Sequence, residues 1–303
     1  MHPNHATNWN RENVYKDFGF DQFLSINDFQ GADTLRGMVT DQATYDKILE
    51  LLDQNADPQF IFDVTMQNHS GYDTGLVPVD KQMHLNIDTT DLDAKTVEDG
   101  TLSDVDEYVS CIEQSDQALR YFLNALSKLD RKVVVVFWGD HQPFFPSKFN
   151  DKWFTGEDDA THQERLWQTD YIIWANYDVA GCDQTSEVDD LSTNYLSTQL
   201  MQLIGAPLTD YQKAHMTLRK SLPAINSVAT RTPACAGHSP PTSPVTTTPP
   251  LPPPRRARIT PRCNTTRCSA TARTCTPSTS RPKPTKPTPT WRRVRPRSNS
   301  DTS

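Results

Sequence analysis

Residues 1–40 mix polar and aromatic positions without a sustained period. The first regular pattern is DQATYDKILELLDQ, where Tyr45, Ile48, Leu49 and Leu52 recur at helical steps and share one face, with Asp41 as the cap. QFIFDVT (59–65) follows Pro58 as a short β-rich run and ends in MQNHSGYD. Residues 73–103 read as loop. From Asp104, DVDEYVSCIEQSDQALRYFLNALSKL keeps helical spacing through Tyr108, Ile112, Ala118, Leu119, Phe122, Leu123 and Leu126. Residues 133–138, VVVVFW, predict a strand buried on both faces, and DYIIWAN (170–176) predicts another. A last helix covers DLSTNYLSTQLMQLIG, stopped by Gly205 and Pro207.

Strand and helix alternate, so the pattern predicts an α/β fold with a mostly parallel sheet flanked by helices. Two strands end in polar clusters, Asn68-His69 and Asp140-His141. Open α/β sheets place ligands at carboxyl strand ends, so His69 is expected near the Asp140-His141 pair. Gly139 lets the backbone turn there. A carboxylate beside an imidazole suits a divalent metal, and it equally suits a plain strand-to-loop turn.

Composition divides the chain in two. Residues 230–303 hold 14 Lys or Arg against one acid, Asp301, and 16 of the 23 prolines. The chain's net charge of −8, less the tail's +13, leaves −21 for residues 1–229. The tail has too little apolar periodicity to offset its ordering entropy and is expected to be disordered. Its composition is also what GC-rich coding DNA gives when read out of frame. Regrouped codons for Val228–Thr232 permit Gly-Tyr-Thr-Asp, so a frameshift stands beside a Pro/Thr-rich linker or a basic arm as its origin. Cys111 and Cys182, in the body, suggest no disulfide framework, and Cys263 and Cys268 lack zinc-site partners. No run approaches the ~18 apolar residues of a membrane span, and MHPNHATNWNRENVY lacks the apolar stretch of a signal peptide.

Five blocks carry a resemblance: HPNHATNWNRENVYKDFGFDQF, FIFDVTMQNHSGY, DEYVSCIEQSDQALRYFLNAL, VVVVFWGDHQP and LSTNYLSTQLMQLIGAP. In this order they resemble the membrane-anchored phosphoglycerol transferases of the lipoteichoic acid synthase type, within the alkaline phosphatase/sulfatase superfamily. The resemblance runs from residue 1 to about 226 and implies that residues 1–229 are part of such a catalytic domain. It implies that Asp140 and His141 ligate a catalytic divalent metal, manganese first and magnesium second. It also implies that His2, Trp9, Arg11 and His69 line a glycerol phosphate pocket. Arginine offers a planar fork to phosphate oxygens, and histidine can bond the phosphate or protonate an alkoxide. The implied partners are a phosphatidylglycerol-type lipid and a glycan or polyglycerol phosphate acceptor, with no nucleic acid. The implied location is the outer face of a membrane, anchored through a preceding region.

The chain also departs from the family pattern. The family's nucleophilic threonine and an acidic metal ligand precede the block that begins at His2, so neither is expected within this chain, nor are the membrane helices. Thr65 and Thr193 do not sit in the nucleophile's motif. The expectation is therefore a fragment, inactive alone, of an active transferase, with sheet edges left open by the absent strands. Other enzymes of the superfamily (phosphoethanolamine transferases, phosphodiesterases, sulfatases) and a non-catalytic phosphate-binding remnant remain alternatives; no Cys-x-Pro-x-Arg sulfatase motif occurs.

Overall fold

The structure, a computed structural model, describes residues 1–93, 101–179, 190–225 and 230–231. In chain order it has α1 (Arg11–Asp17), β1 (Thr34–Leu35), β2 (Met38–Val39), α2 (Asp41–Gln54), α3 (Thr101–Leu126) and β3 (Val134–Trp138). Then come α4 (Ser147–Asn150), α5 (Asp159–Leu166), β4 (Tyr171–Ala175), α6 (Thr193–Leu203), α7 (Asp210–Arg219), β5 (Ala224–Ile225) and β6 (Thr230–Arg231). The disordered tail expected from residue 230 lies outside the described residues except for β6, and so do Cys182 and the tail cysteines. Cys111 is a buried free thiol.

Helix α2 starts one residue earlier than expected, at Asp41 itself. Thr40 is the N-cap, its hydroxyl accepting from the Ala43 amide at 3.2 Å, and Asp41 is the first helical residue with its carboxylate buried. The apolar face read from the sequence is the one that packs. Tyr45 stacks on Phe122 with ring centroids 4.6 Å apart, and Ala118, Leu123 and Leu126 complete the buried cluster. Ile48, Leu49 and Leu52 from α2 and Val135 and Trp174 from the sheet close around it. This helix-on-helix-on-sheet core is the frame on which the site stands.

The α/β character matches the alternation, but the described strand pairs run antiparallel where parallel pairing was expected. β3 pairs β4 from Val134↔Ala175 to Trp138↔Tyr171. The cause lies in the 139–170 connection, whose two ends are tied at one end of the strands. Gly139 N donates to Asp170 O (3.1 Å), Thr169 Oγ1 donates to Gly139 O (2.8 Å), and Gln142 Nε2 donates to Arg165 O and Gln168 O. A chain that leaves and re-enters at one end must return antiparallel. Nor is β3 buried on both faces: Phe137 is 37% exposed and its cross-strand partner Ile172 46%.

The run 59–65 is extended but forms no ladder with β3 among the described residues. It pairs instead with the start of the chain. The Met1 ammonium donates to Phe62 O and Val64 N donates to Met1 O, the slanted pattern of a parallel pair around Met1 and Asp63.

Candidate functional site

That pairing delivers His2 into the interior. His2 is fully buried, its backbone N donates to Leu24 O at 2.9 Å, and its Nδ1 lies 3.1 Å from Val64 O. A carbonyl can only accept, so Nδ1 carries the proton and Nε2 presents a lone pair. Nε2 is buried without a hydrogen-bond partner. Burial pushes the His2 pKa down to about 4, with help from the charges of Arg11, the N-terminus and His69 and against the Val64 bond. The ring is thus a neutral acceptor near pH 7.

Trp9 and Asn10 both sit in the left-handed region, at φ 53° and 55°, in the 3-10 turn (Asn8–Asn10) that leads directly into α1. For non-glycine residues this conformation costs on the order of 1 kcal/mol each, and it accumulates at ligand sites. Here it turns the indole between two imidazoles. The Trp9 ring lies edge-on to His2 at 5.4 Å and to His69 at 6.3 Å, and it is 57% exposed. The Arg11 guanidinium stands 5.1 Å from the Trp9 ring centre and Nη1 donates to Tyr15 OH at 2.6 Å, while its buried Nε has no partner. His2, Trp9, Arg11 and His69 therefore form one cluster. It offers an unused acceptor, an unused charged donor and an aromatic wall.

His69 sits on a loop that sequence reading alone did not explain. Its Nδ1 is 3.3 Å from Ser70 O, so Nε2 is again the free nitrogen. Beneath it, Gln67 is fully buried and donates to Cys111 O and Ser115 Oγ, while its Oε1 accepts from the Asp41 amide. Asn68 Nδ2 donates to the same Ser115 Oγ at 2.8 Å. Arg36, which the sequence reading passed over, donates to carbonyls of this loop and pairs with Glu107 at 2.6 Å. The only signal was Arg-Gly between two short apolar runs, which marks a turn and not a buried cation.

Asp140 and His141 emerge where β3 ends, as expected, and both side chains are exposed. The described contacts join neither to His69, although Phe62 and Trp138 bring the two segments within 6.0 Å between rings. A Cβ on Gly139 would lie 3.3 Å from Thr169 Cβ, so the small residue permits the close approach that starts the loop. His141 Nδ1 is 2.9 Å from Gln142 O, which leaves Nε2 as the nitrogen open to a ligand, 3.6 Å from Asp140 Oδ2. A backbone carbonyl orienting a metal-ligating histidine in this way is the usual arrangement. The pair fits two positions of a divalent ion's ligand set. Among the described residues no group of three or more His, Cys, Asp or Glu assembles to complete one.

Similar relatives include a Rhizobium meliloti (strain 1021) protein named for cyclic β-1,2-glucan modification, 23% identical over 68% of this chain and 31% of its own. The lipoteichoic acid synthase-like YvgJ of Bacillus subtilis (strain 168) is 29% identical over 46% of this chain and 21% of its own. The chain thus spans about a third or less of the curated relatives it matches. Among solved structures, the Streptococcus pyogenes phosphoglycerol transferase GacH in complex with sn-glycerol-1-phosphate superposes with a TM-score of 0.57 at 22% identity, covering 79% of this chain and 56% of that one. No helix among the described residues is long and apolar enough to cross a membrane. The family model described as Sulfatase matches residues 1–206, and the chain belongs to that family.

Proposed function

We propose that this chain carries the glycerol-phosphate-recognising part of a metal-dependent transferase that moves glycerol phosphate from a phosphatidylglycerol-type lipid to a glycan or polyglycerol phosphate. The observation that carries the reading is the pair of buried, unpartnered atoms, His2 Nε2 and Arg11 Nε, beside the Trp9 ring. Each such atom costs about 1–3 kcal/mol unless a ligand satisfies it. A ligand that does so must bring an anionic oxygen for Arg11 and a hydroxyl proton for His2. Glycerol phosphate brings both, with a carbon backbone to lie on the indole. Solved GacH with sn-glycerol-1-phosphate and the synthase-named relatives support the same substrate class.

In this reading Arg11 binds the phosphate, His2 accepts from a glycerol hydroxyl, and His69 Nε2 faces the same ligand across Trp9. Asp140 and His141 hold a divalent ion, manganese or magnesium, which when bound withdraws charge from phosphoryl oxygens. With residues 1–229 at −21, Arg11 and that ion offset repulsion of an anionic substrate.

The test is calorimetric titration of the full chain with sn-glycerol 1-phosphate, with phosphoethanolamine and inorganic phosphate as controls. Arg11→Ala is expected to weaken glycerol phosphate binding about tenfold to a hundredfold. Equal affinity for all three ligands, or no binding by the folded chain, overturns the reading.

A further inference from the structure

Arg36 occupies the first position of a two-residue turn between β1 and β2, with φ 54°, followed by Gly37 at 77°. Consecutive positive φ angles define the turn that suits a tight hairpin, and they usually fall to Asn or Gly. Arginine bears the left-handed cost here, and its side chain is only 1% exposed. The guanidinium is spread over alternate carbonyls of the His69 loop. Nη1 donates to Gln67 O (3.3 Å) and His69 O (3.4 Å), and Nη2 donates to His69 O (3.3 Å) and Gly71 O (2.8 Å). Nη1 also reaches Cys111 Sγ at 3.4 Å, and the Tyr72 ring centre lies 5.0 Å from the guanidinium carbon.

The loop itself has almost no internal scaffold. Residues 66–71 carry no helix or strand, and His69 N to Met66 O is their turn bond. A cation that meets three carbonyls of such a segment replaces a missing ladder. The charge is balanced by Glu107 on α3, whose oxygens also accept from Thr74 N, Thr74 Oγ1 and Gly75 N. One buried ion pair therefore ties both flanks of the loop to the long helix.

We infer that Arg36 is a positioning residue for His69: it sets the height of the His69 ring against Trp9 without touching the ligand. The inference rests on the glycerol phosphate reading for its consequence, but not for its geometry. Lysine keeps the charge but has three N–H donors on a single atom, too few to serve the three carbonyls and Glu107 at once. A merely structural ion pair would loosen the whole cluster when altered. A positioning residue alters His69 and spares His2.

The experiment is NMR on the full chain with labelled histidine and tryptophan, comparing the unaltered protein with Arg36→Lys. Without ligand, the ring contact between His69 and Trp9 is expected to disappear in Arg36→Lys while that between His2 and Trp9 persists. With sn-glycerol 1-phosphate, affinity is expected to fall about tenfold, and the ligand-induced shift of His69 to be lost while that of His2 remains. Retention of both ring contacts overturns the inference, and so does their joint loss in a folded variant. If the unaltered chain binds no glycerol phosphate, the functional reading fails, and the ligand-free contacts still decide the role of Arg36. Should Arg36→Lys not fold, Glu107→Gln is read the same way: selective loss at His69 upholds the role and an unchanged spectrum removes it.

Discussion

The Nδ1 of His2 lies 3.1 Å from the carbonyl oxygen of Val64, and this bond decides which nitrogen the pocket sees. His69 and His141 repeat the arrangement on Ser70 O and Gln142 O, so each of the three imidazoles offers Nε2. For His2 the consequence is a ring that stays neutral under ordinary conditions, a lone pair rather than a second cation beside Arg11. Two cations there would hold phosphate more strongly but would not tell a hydroxyl from its absence.

The pH dependence follows in sign. A His whose pKa in the folded state falls from 6.5 to about 4 binds its proton more readily when unfolded. Its contribution to stability is therefore complete above pH 6.5 and is lost as the pH falls through about 4. A histidine ring titration by NMR is expected to place the His2 midpoint near 4 and to leave its Nδ1 protonated throughout. A midpoint near 6.5 would mean that the ring is solvated and the pocket open beneath it.

Asp41 carries the opposite sign. Its carboxylate is buried, Oδ2 accepts from Ser115 Oγ at 2.5 Å, and Oδ1 has no partner. Burial raises its pKa from 3.8 to about 6 against the Ser115 and Thr65 bonds, so it favours the folded state below pH 4 and opposes it as the pH rises through 6. Asp41→Asn keeps an acceptor for Ser115 and removes the charge. It is expected to stabilise the fold at pH 7 by about 1–3 kcal/mol and to change little at pH 4. Denaturant unfolding at the two pH values checks this. Some slope remains in the variant, because burial also raises Asp63.

Much of this was legible in the sequence, and the gaps have physical reasons. Tyr45, Ile48, Leu49 and Leu52 announced the packing face of α2 because a 3.6-residue period is local information. Gly139-Asp140-His141 was found because a β-branched run ends there. The strand direction was not legible: it depends on side-chain ties such as Gln142 to Arg165 O and Gln168 O, which link residues far apart in sequence. The same limit hid Arg36. Its partners lie 31 to 75 residues away, and nothing in DTLRGMV marks the arginine as buried. The four pocket residues came from the family resemblance; spacing alone gave no reason to bring His69 to Trp9.

At the end of β3, Asp140 and His141 are the two groups proposed to hold a divalent ion, and the described residues assemble no group of three or more His, Cys, Asp or Glu. Two-point binding is weak but site-selective. Added Mn2+ is expected to broaden the His141 ring signals first in the intact chain, and Asp140→Asn is expected to abolish that preference. The same variant is expected to keep its affinity for glycerol phosphate in metal-free buffer, because Asp140 touches none of the four pocket residues. Equal broadening in the variant would place the ion elsewhere, and chelator should reverse every effect.

The exposed pair Phe137 and Ile172 makes the last prediction. They face each other across β3 and β4, on the side of the sheet where Val135 and Trp174 meet the helical core, and the core stops short of them. The sheet they sit on has two strands among the described residues, so each strand has an unpaired edge beside an open apolar surface. Such a surface invites association between copies. Phe137→Thr combined with Ile172→Thr places a β-branched residue at both positions and removes that apolar surface. The double variant is expected to lower the association of the chain at high concentration, read by light scattering, and to lower the unfolding free energy by only about 2 kcal/mol, because each side chain is about half buried. A large loss of stability would show instead that the pair is covered in solution, and that other parts of the protein or a second copy already close the sheet.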